Sequence, residues 1–360
     1  MVASGRTLRS AITGLLYVAG VLAFFEGVAR VAASSEAFLR RVAAEDDSSA
    51  RLRWLKSRER RSHVAYFFDE YHRTRGWALK PGLADLRVFG GKRLSSNSRG
   101  IRGEAEHAIE AGPGRTRIVV LGDSFTFGEE VSDDETYASR IESLVPGAEV
   151  LNLGVHGYGH DQMLIYLREE GLRYRPDVVL LGFVHIDMPR NLLAFRDYAK
   201  PRFELVRGRL ELRGSPVPDP QAMIDGEPWR SKLLDLLRML RARLEERSGA
   251  RERRMRAVTA AILDEMALAA SAGGARPAFA YLPVEEELEQ GDLTPTDRQR
   301  FFLEYCRTRR VSCLDLRPAF LAHAKGGRSL PIRGHWGSAE HRLAAEALRD
   351  GLREQGLLPP

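Results

Sequence analysis

The chain has 360 residues, of which 44% are hydrophobic and 29% are charged, and its formal net charge is +6. This length predicts one large domain or two smaller ones with an ample core. The basic residues do not gather into one patch with interleaved aromatic residues, so a nucleic-acid partner is not expected. The two cysteines, Cys306 and Cys313, lack zinc-site spacing, so we expect no metal and no other cofactor. We interpret them as separate thiols rather than a disulfide, because geometry and not spacing decides pairing.

The N-terminal segment is apolar, and residues 10–25 contain no charged residue before Glu26. Three interpretations remain open: a signal anchor, a cleaved signal peptide, or a buried helix of a soluble domain. We favour the anchor, with residues 1–9 as a cytoplasmic tail and residues 10–33 as the signal anchor or signal peptide. This predicts a single-pass protein of a bacterial cell membrane, with its main domain outside the cytoplasm, in the periplasm.

Beyond the apolar segment, the composition divides the chain into three regions. Residues 34–62 are polar and arginine-rich, which indicates a juxtamembrane stalk. Residues 63–115 indicate an N-terminal extension of loops and short strands packed on the core. Residues 116–355 form the predicted main domain, with a helical insert near residues 225–272.

The main domain shows short apolar runs alternating with amphipathic segments. This alternation predicts a parallel sheet covered by helices on both faces. The predicted strands are 117–121, 149–153, 177–184, 277–282 and 311–314. The predicted helices are 134–144, 161–172, 229–270 with a break near Ser248 and Gly249, 296–309 and 338–354. Residues 203–212 indicate a hairpin that turns at Arg207 and Gly208. Ligands of such sheets bind at the carboxyl ends of the strands, so chemistry is expected in the turns there.

The first of these turns carries a candidate nucleophile. Residues 118–128 read IVVLGDSFTFG, which places Ser124 directly after an apolar strand and a tight glycine turn. A serine hydroxyl becomes a nucleophile when a neighbouring base takes its proton. The alternative is that Asp123 or Ser124 caps the following helix. The whole string is stronger evidence than Gly-Asp-Ser alone, and it favours the interpretation of Ser124 as a nucleophile.

The stretch RIVVLGDSFTFGEEVSDDETYASRIESL (residues 117–144) resembles the first conserved block of the SGNH/GDSL hydrolase family. The phrases SSNSRGIRGE (residues 95–104) and NLGVHGYGHDQ (residues 152–162) resemble the same family. They are closest to its membrane-anchored bacterial members found with extracytoplasmic polysaccharides, and the resemblance covers about residues 80 to 350. It implies a flavodoxin-like three-layer α/β sandwich, the SGNH hydrolase fold. It also implies transfer of an acyl group from an ester to water or another hydroxyl.

The resemblance implies an oxyanion hole made by the backbone N–H groups of Ser124 and Gly157. Such donors contribute on the order of 3 kcal/mol each. The family usually supplies a third donor, an asparagine before an aspartate, and no asparagine precedes Asp187 in this sequence. Asn191, or His185 through its ring, is the candidate replacement, while a structural role for Asp187 and Asn191 remains equally open.

The last motif, LPIRGHWGSAEH at residues 330–341, resembles the family block that carries the catalytic histidine, and it assigns the general base to His335. The family's aspartate would stand at Ile332 or Arg333, and neither side chain can orient an imidazole. Three outcomes remain open. The site could be a Ser–His dyad, an acid such as Asp187 or Asp315 could substitute, or catalysis could be weakened or lost.

The helical insert is basic and amphipathic between Trp229 and Arg256. Such a helix can lie on an anionic membrane or bind an acidic polymer. We favour the simpler interpretation, a helix packed on the domain with a solvated arginine face.

The sequence therefore predicts a membrane-anchored serine ester hydrolase or O-acyltransferase that acts on an acylated carbohydrate or lipid. The alternative is a binding or scaffold protein of an envelope polysaccharide system that has kept the fold. The N-terminal helix would be its contact with the membrane.

Overall fold

The computed structural model describes residues 3–35, 37–38, 47–57, 64–289, 292–325 and 334–359. The strands, in chain order, are β1 (Asp69–His72), β2 (Gly76–Leu79), β3 (Leu86–Val88), β4 (Lys92–Leu94), β5 (Thr116–Gly122), β6 (Ala148–Gly154), β7 (Val178–Phe183), β8 (Arg202–Val206), β9 (Arg209–Arg213), β10 (Arg276–Tyr281) and β11 (Ser312–Asp315). The helices are α1 (Ala3–Ser34), α2 (Asp47–Lys56), α3 (Ser124–Phe127), α4 (Tyr137–Leu144), α5 (His160–Glu169), α6 (Pro220–Gly226), α7 (Lys232–Arg247), α8 (Ala250–Ala272), α9 (Glu285–Glu289), α10 (Asp297–Arg309), α11 (Arg317–Lys325) and α12 (Ser338–Glu354).

Five parallel strands form the central sheet in the order β6–β5–β7–β10–β11. Counted along the chain within this sheet, the order is 2-1-3-4-5, which is that of flavodoxin-like folds. Every residue of β7 is buried, as expected of a strand covered on both faces. The predicted fold class, a flavodoxin-like sandwich with a parallel sheet, is confirmed.

The alternation of side chains along β5 divides the core into two layers. Val119 and Leu121 pack into one hydrophobic cluster with residues of α5, α8 and α10. Ile118 and Val120 point to the other face and pack with residues of α4, α11 and α12. Successive strand residues alternate between faces, so one apolar run can bury itself against both helix layers.

Two predicted local features are also confirmed. Strands β8 and β9 form an antiparallel hairpin, and its turn contains Arg207 and Gly208 at positive φ. The long helical insert is divided into α7 and α8, and Gly249 at φ +67° separates them. Glycine adopts this left-handed conformation without the penalty that a Cβ atom brings.

The N-terminal segment is helical, and the stretch Arg9–Ser34 of α1 is long and apolar enough to cross a membrane. The predicted stalk, residues 34–62, falls partly outside the described residues. Within it, α2 packs on the domain, as the full burial of the Trp54 side chain shows.

The interpretation of the cysteines as separate thiols was wrong, because Cys306 and Cys313 form a disulfide with their Cα atoms 6.0 Å apart. Helix α10 ends at Arg309, and Arg310 adopts the left-handed conformation. This turn folds β11 back beside the last turn of the helix, and it brings the two Cα atoms within bonding range.

A buried histidine in α12 makes the fold sensitive to acid. His341 stacks on Tyr137 and accepts its backbone N–H at 3.1 Å through Nδ1. Burial, aided by nearby arginines, lowers the pKa of His341 to about 3. The unfolded chain therefore binds a proton at His341 near pH 6.5, whereas the folded chain binds this proton only near pH 3. Stability present above that pH is lost as the pH falls toward 3.

We expect His341→Asn to reduce this acid sensitivity. Lowering the pH from about 7.5 to about 5 should reduce the free energy of unfolding of the parent chain by about 2 kcal/mol through this residue alone. The variant should not show this loss. Urea unfolding at both pH values measures the difference. His323→Asn, at a half-buried histidine of α11, is the control and should keep the parent's dependence. An unchanged pH dependence in His341→Asn would contradict the assignment.

Candidate active site

The turn that leaves β5 carries Ser124 at the first position of the short helix α3. Asp123 is the N-cap residue, and its Oδ1 accepts the backbone N–H of Phe125 at 3.0 Å. The cap predicted as an alternative role for this turn is therefore present, and Asp123 provides it. Ser124 itself is left with its hydroxyl at the carboxyl edge of the sheet, where ligands of such folds bind.

Three glycines at the ends of adjacent strands form a seat for α3. A Cβ atom on Gly122 would lie 1.9 Å from Oγ1 of Thr126, and one on Gly182 would lie 2.5 Å from the same oxygen. A Cβ atom on Gly154 would lie 2.3 Å from the backbone nitrogen of Phe127. No real Cβ contact is that short, so this glycine seat sets how closely the nucleophile turn approaches the sheet.

His335 lies opposite the nucleophile, and its Nε2 is 2.9 Å from Oγ of Ser124. This distance is within hydrogen-bond reach, as a nucleophile and its base require. The neighbouring Trp336 is fully buried and donates its indole N–H to the carbonyl of Pro283 at 3.1 Å. On the other side, the backbone N–H of Gly334 donates to Glu285 at 3.1 Å. Both bonds hold the histidine segment against the domain.

A carboxylate not singled out by the sequence reasoning reaches the same histidine. Oε2 of Glu129 lies 3.0 Å from Nε2 of His335, and the Glu129 side chain is buried. Gly128, at φ +85°, ends α3, and the backbone N–H of Glu129 then returns to the carbonyl of Ser124 at 3.1 Å. The acid thus follows the nucleophile by one helical turn, whereas the family pattern places it just before the histidine.

The two acids considered as substitutes have other partners among the described residues. Asp187 forms an ion pair with Arg190, and burial together with neighbouring Asp123 raises its pKa well above the usual range. Asp315 accepts from Nε2 of Gln299 at 2.8 Å and from the backbone N–H of Arg317 at 3.1 Å. Positions 332 and 333, where the family acid would stand, lie outside the described residues.

The two backbone donors predicted for the oxyanion hole belong to Ser124 on the nucleophile turn and to Gly157 after β6. Gly157 adopts φ +76°, and a Cβ atom there would lie 2.3 Å from Nη1 of Arg196 and 2.5 Å from Oδ2 of Asp197. Within the described part of the chain, no acceptor is recorded for the backbone N–H of Gly157 or of Ser124. Both groups can therefore donate to a ligand.

Asn191, the predicted third donor, has its amide committed elsewhere. Its Nδ2 lies 3.1 Å from Nδ1 of His160 and 2.9 Å from Oγ1 of Thr259, which occupies both N–H groups. The amide therefore has no N–H to offer an oxyanion, and the prediction for this residue is not supported. His185, the other candidate, has its Nε2 3.8 Å from Oε1 of Glu287.

Arg190 places a positive charge beside the nucleophile turn. Its Nη1 donates to Oδ2 of Asp123 at 3.2 Å and to the carbonyl of Tyr158 at 3.0 Å. The same Oδ2 of Asp123 lies 3.4 Å from Oγ of Ser124. Arg190 thus places one positive charge between two buried carboxyl groups, those of Asp123 and Asp187, beside the nucleophile.

Among the described residues, no group of three or more His, Cys, Asp or Glu side chains is arranged to hold a metal ion.

No family model matches the chain. No curated protein sequence matches it either. Solved structures do match, and several of them are G-D-S-L-family lipolytic proteins or esterases. A member of the lipolytic protein G-D-S-L family from Veillonella parvula DSM 2008 is 12% identical, with 65% of this chain and 97% of that chain covered and a TM-score of 0.39.

Two further structures show a similar level of likeness. A putative lipolytic protein of the G-D-S-L family from Desulfitobacterium hafniense DCB-2 is 14% identical, with 66% and 100% covered and a TM-score of 0.38. The psychrotrophic esterase EstA from Pseudoalteromonas sp. is 13% identical, with 67% and 98% covered and a TM-score of 0.38. The strand order and the contact between Ser124 and His335 carry the proposal that follows.

Proposed function

We propose that the chain is an SGNH-type serine ester hydrolase or O-acyltransferase that acts on an acylated glycan or lipid outside the cytoplasm. The observation that carries the proposal is the 2.9 Å contact between Oγ of Ser124 and Nε2 of His335 at the carboxyl edge of the sheet. The free backbone N–H groups of Ser124 and Gly157 support it, because acyl transfer needs donors for a developing oxyanion.

The reaction would proceed in two half-reactions. In the first, Oγ of Ser124 attacks the ester carbonyl while Nε2 of His335 takes the hydroxyl proton. The carbonyl oxygen becomes an oxyanion, which the N–H groups of Ser124 and Gly157 stabilise. Collapse of the tetrahedral intermediate breaks the ester bond, and His335 returns its proton to the leaving alcohol. In the second, water or a sugar hydroxyl gives its proton to His335 and attacks the acyl-serine. The second tetrahedral intermediate then breaks the bond between the acyl carbon and Oγ of Ser124, and His335 returns the proton to that oxygen.

Glu129 would stabilise the protonated His335 that forms in each half-reaction. Its carboxylate contacts Nε2, the nitrogen that receives the serine proton. It therefore acts on the imidazolium through charge, and it does not set the tautomer from the far nitrogen as the acid of a serine–histidine–aspartate triad does.

We expect Glu129→Gln to lower kcat/KM for a soluble ester about 10- to 100-fold, because hydrogen bonds to charged groups contribute about 1.5–3 kcal/mol. The amide keeps the shape and loses the charge. The adjacent Glu130 is exposed, so Glu130→Gln is the matched control and should behave as the parent chain. Equal rates for the two variants would remove Glu129 from the mechanism.

Two features support a site outside the cytoplasm. Helix α1 has the length and composition of a membrane span. The disulfide between Cys306 and Cys313 is of a kind that persists in oxidising compartments such as the periplasm. An anchored enzyme there would meet acylated polysaccharides of the envelope and the machinery that exports them.

A fluorophosphonate probe tests the function directly, because it phosphonylates a serine only when a base activates the hydroxyl. We expect rapid labelling of the full chain in detergent, and loss of labelling in both Ser124→Ala and His335→Ala. Circular dichroism of each variant checks that the fold is intact. A folded parent chain that stays unlabelled would favour the scaffold function over the enzyme.

A further inference from the structure

The last third of the apolar helix α1 is joined to the start of α7 by a carboxylate cap. Oε1 of Glu26 accepts the backbone N–H of Lys232 at 2.9 Å, and Oε2 accepts the N–H of Leu233 at 3.0 Å and the hydroxyl of Ser231 at 2.8 Å. The first N–H groups of a helix have no partner within the helix, so an acid from another segment stabilises them. Glu26 therefore fixes the first turn of α7 against α1.

A second contact, one turn along α1, extends this junction. Nη2 of Arg30 donates to the carbonyls of Pro228 and Arg230, at 3.1 and 3.2 Å. Glu26 and Arg30 lie in the last third of α1, directly after residues 10–25, which carry no charge and belong to the stretch that is long and apolar enough to cross a membrane. Trp229 stands between the two bonded carbonyls and is 90% exposed. If α1 crosses a bilayer, this tryptophan lies at the depth of the end of the span.

From this junction, α7 presents an exposed apolar ridge along its length. The ridge consists of leucines spaced three or four residues apart, and each is at least half exposed. These are Leu234, Leu237, Leu240 and Leu244. The opposite side of the helix packs on the domain through residues that include Asp235 and Met239, both buried. A row of four exposed leucines on one helix face is unusual for a surface in water.

Charge around the leucine ridge favours an anionic surface. The segment Trp229–Arg256 holds ten lysine and arginine residues against four acidic ones. Arg241 is exposed beside the ridge, where it pairs with Glu245 at 2.8 Å, and Arg247 is exposed at the end of the helix. Interfacial helices combine leucine and tryptophan on one side with arginine that reaches lipid phosphates.

We propose that Trp229 and the leucine ridge of α7 lie in the interfacial layer of the same bilayer that α1 crosses. This inference rests on the membrane anchoring that is part of the proposed function. It differs from the sequence-based interpretation of α7, which was a helix packed on the domain with a solvated arginine face. The occupant is a lipid surface because the ridge begins at the point where α1 leaves the membrane, and the ridge continues that apolar surface.

Tryptophan fluorescence offers a selective test, because Trp229 is the exposed one of four tryptophans and Trp54, Trp77 and Trp336 are fully buried. The full chain is reconstituted into vesicles of phosphatidylcholine and phosphatidylglycerol, with or without bromine on the acyl chains near the headgroup. We expect brominated lipid to quench the emission of the parent chain, and Trp229→Phe to remove most of the quenchable signal.

A double variant tests the ridge itself. Leu237→Glu with Leu244→Glu places two charges on an exposed face, so the fold should be kept while the helix leaves the lipid. We expect bromine quenching of Trp229 to fall about twofold or more. The matched control is Leu268→Glu with Leu293→Glu, two leucines of similar exposure outside α7, and it should retain the parent's quenching. Turnover of a soluble ester should be unchanged in both double variants.

The outcomes separate this inference from the anchoring on which it rests. If the chain floats with vesicles but Trp229 is not quenched, the interfacial position is wrong while the anchor stands. If, in addition, Trp229 becomes shielded as protein concentration rises, a second copy covers the ridge instead of lipid. If the chain does not float with vesicles, both the anchor and the interfacial position are overturned. None of these results depends on whether the enzyme turns over an ester.

Discussion

Replacing Ser124 or His335 by alanine is expected to lower kcat/KM for a soluble ester about 10⁴-fold or more. Ser124→Ala removes the atom that forms the acyl bond. His335→Ala leaves the hydroxyl with no base at 2.9 Å to take its proton. Steady-state hydrolysis of a chromogenic acetyl ester by the full chain in detergent measures both losses.

The double variant sharpens this prediction. Two residues that act as one unit have non-additive effects, so Ser124→Ala with His335→Ala should be no slower than either single variant. A residual rate would come from the oxyanion donors alone. Losses that multiply in the double variant would show that the two residues act separately. Full activity in Ser124→Ala would show that another nucleophile carries the reaction.

Replacing Arg190 by methionine is expected to destabilise the fold by about 3–5 kcal/mol, the usual cost of breaking a buried ion pair. Arg190 is buried between Asp123 and Asp187 and donates a hydrogen bond to Tyr158. Without it, two carboxyl groups face each other in the core with no compensating charge. Urea unfolding of the full chain in detergent measures the change.

The matched variant is Asp187→Asn. It keeps Arg190 paired with Asp123 and removes a carboxyl whose pKa is raised by burial and by Asp123. Because the pKa of Asp187 is raised in the folded chain, ionisation of this carboxyl at higher pH destabilises the fold of the parent. Asp187→Asn cannot ionise, so its stability relative to the parent should increase as the pH rises. Combined with Arg190→Met, it should recover part of the loss. If Asp187→Asn proves as damaging as Arg190→Met, the charge balance inferred here is wrong.

The fold was predictable because local patterns determine it. The run from Ile118 to Leu121 has to be buried on both sides, and the helices between the strands supply the cover. The hairpin at Gly208 and the break at Gly249 were predictable for a different reason. Both need a left-handed backbone that glycine adopts freely, so the residue type marks the turn.

Much of the candidate site was also within reach, since Ser124 and His335 occur in strings that resemble a known family. Glu129 was not found, although it stands only five residues after Ser124. Its relevance depends on a three-dimensional approach to His335 across 206 residues of chain, and no local pattern encodes that distance. An acid that follows the nucleophile turn would have been the signal to examine.

The errors have the same origin. The pairing of Cys306 with Cys313 depends on the left-handed turn at Arg310, a conformation that arginine adopts rarely, so no residue type marks the reversal. The amide of Asn191 is captured by His160 and Thr259, and these residues lie 31 and 68 positions away along the chain. Competition between partners of this kind is settled by packing and not by spacing.

The glycine seat under α3 has a consequence for how mutational data on this protein should be interpreted. Gly122, Gly154 and Gly182 carry no functional group, yet a methyl added to any of them collides with Thr126 or Phe127. The collision would lift the serine from its base by a fraction of an ångström, and misplacement on that scale is enough to cost orders of magnitude in rate. A random mutagenesis screen scored on turnover would therefore rank these three glycines beside the residues that handle protons.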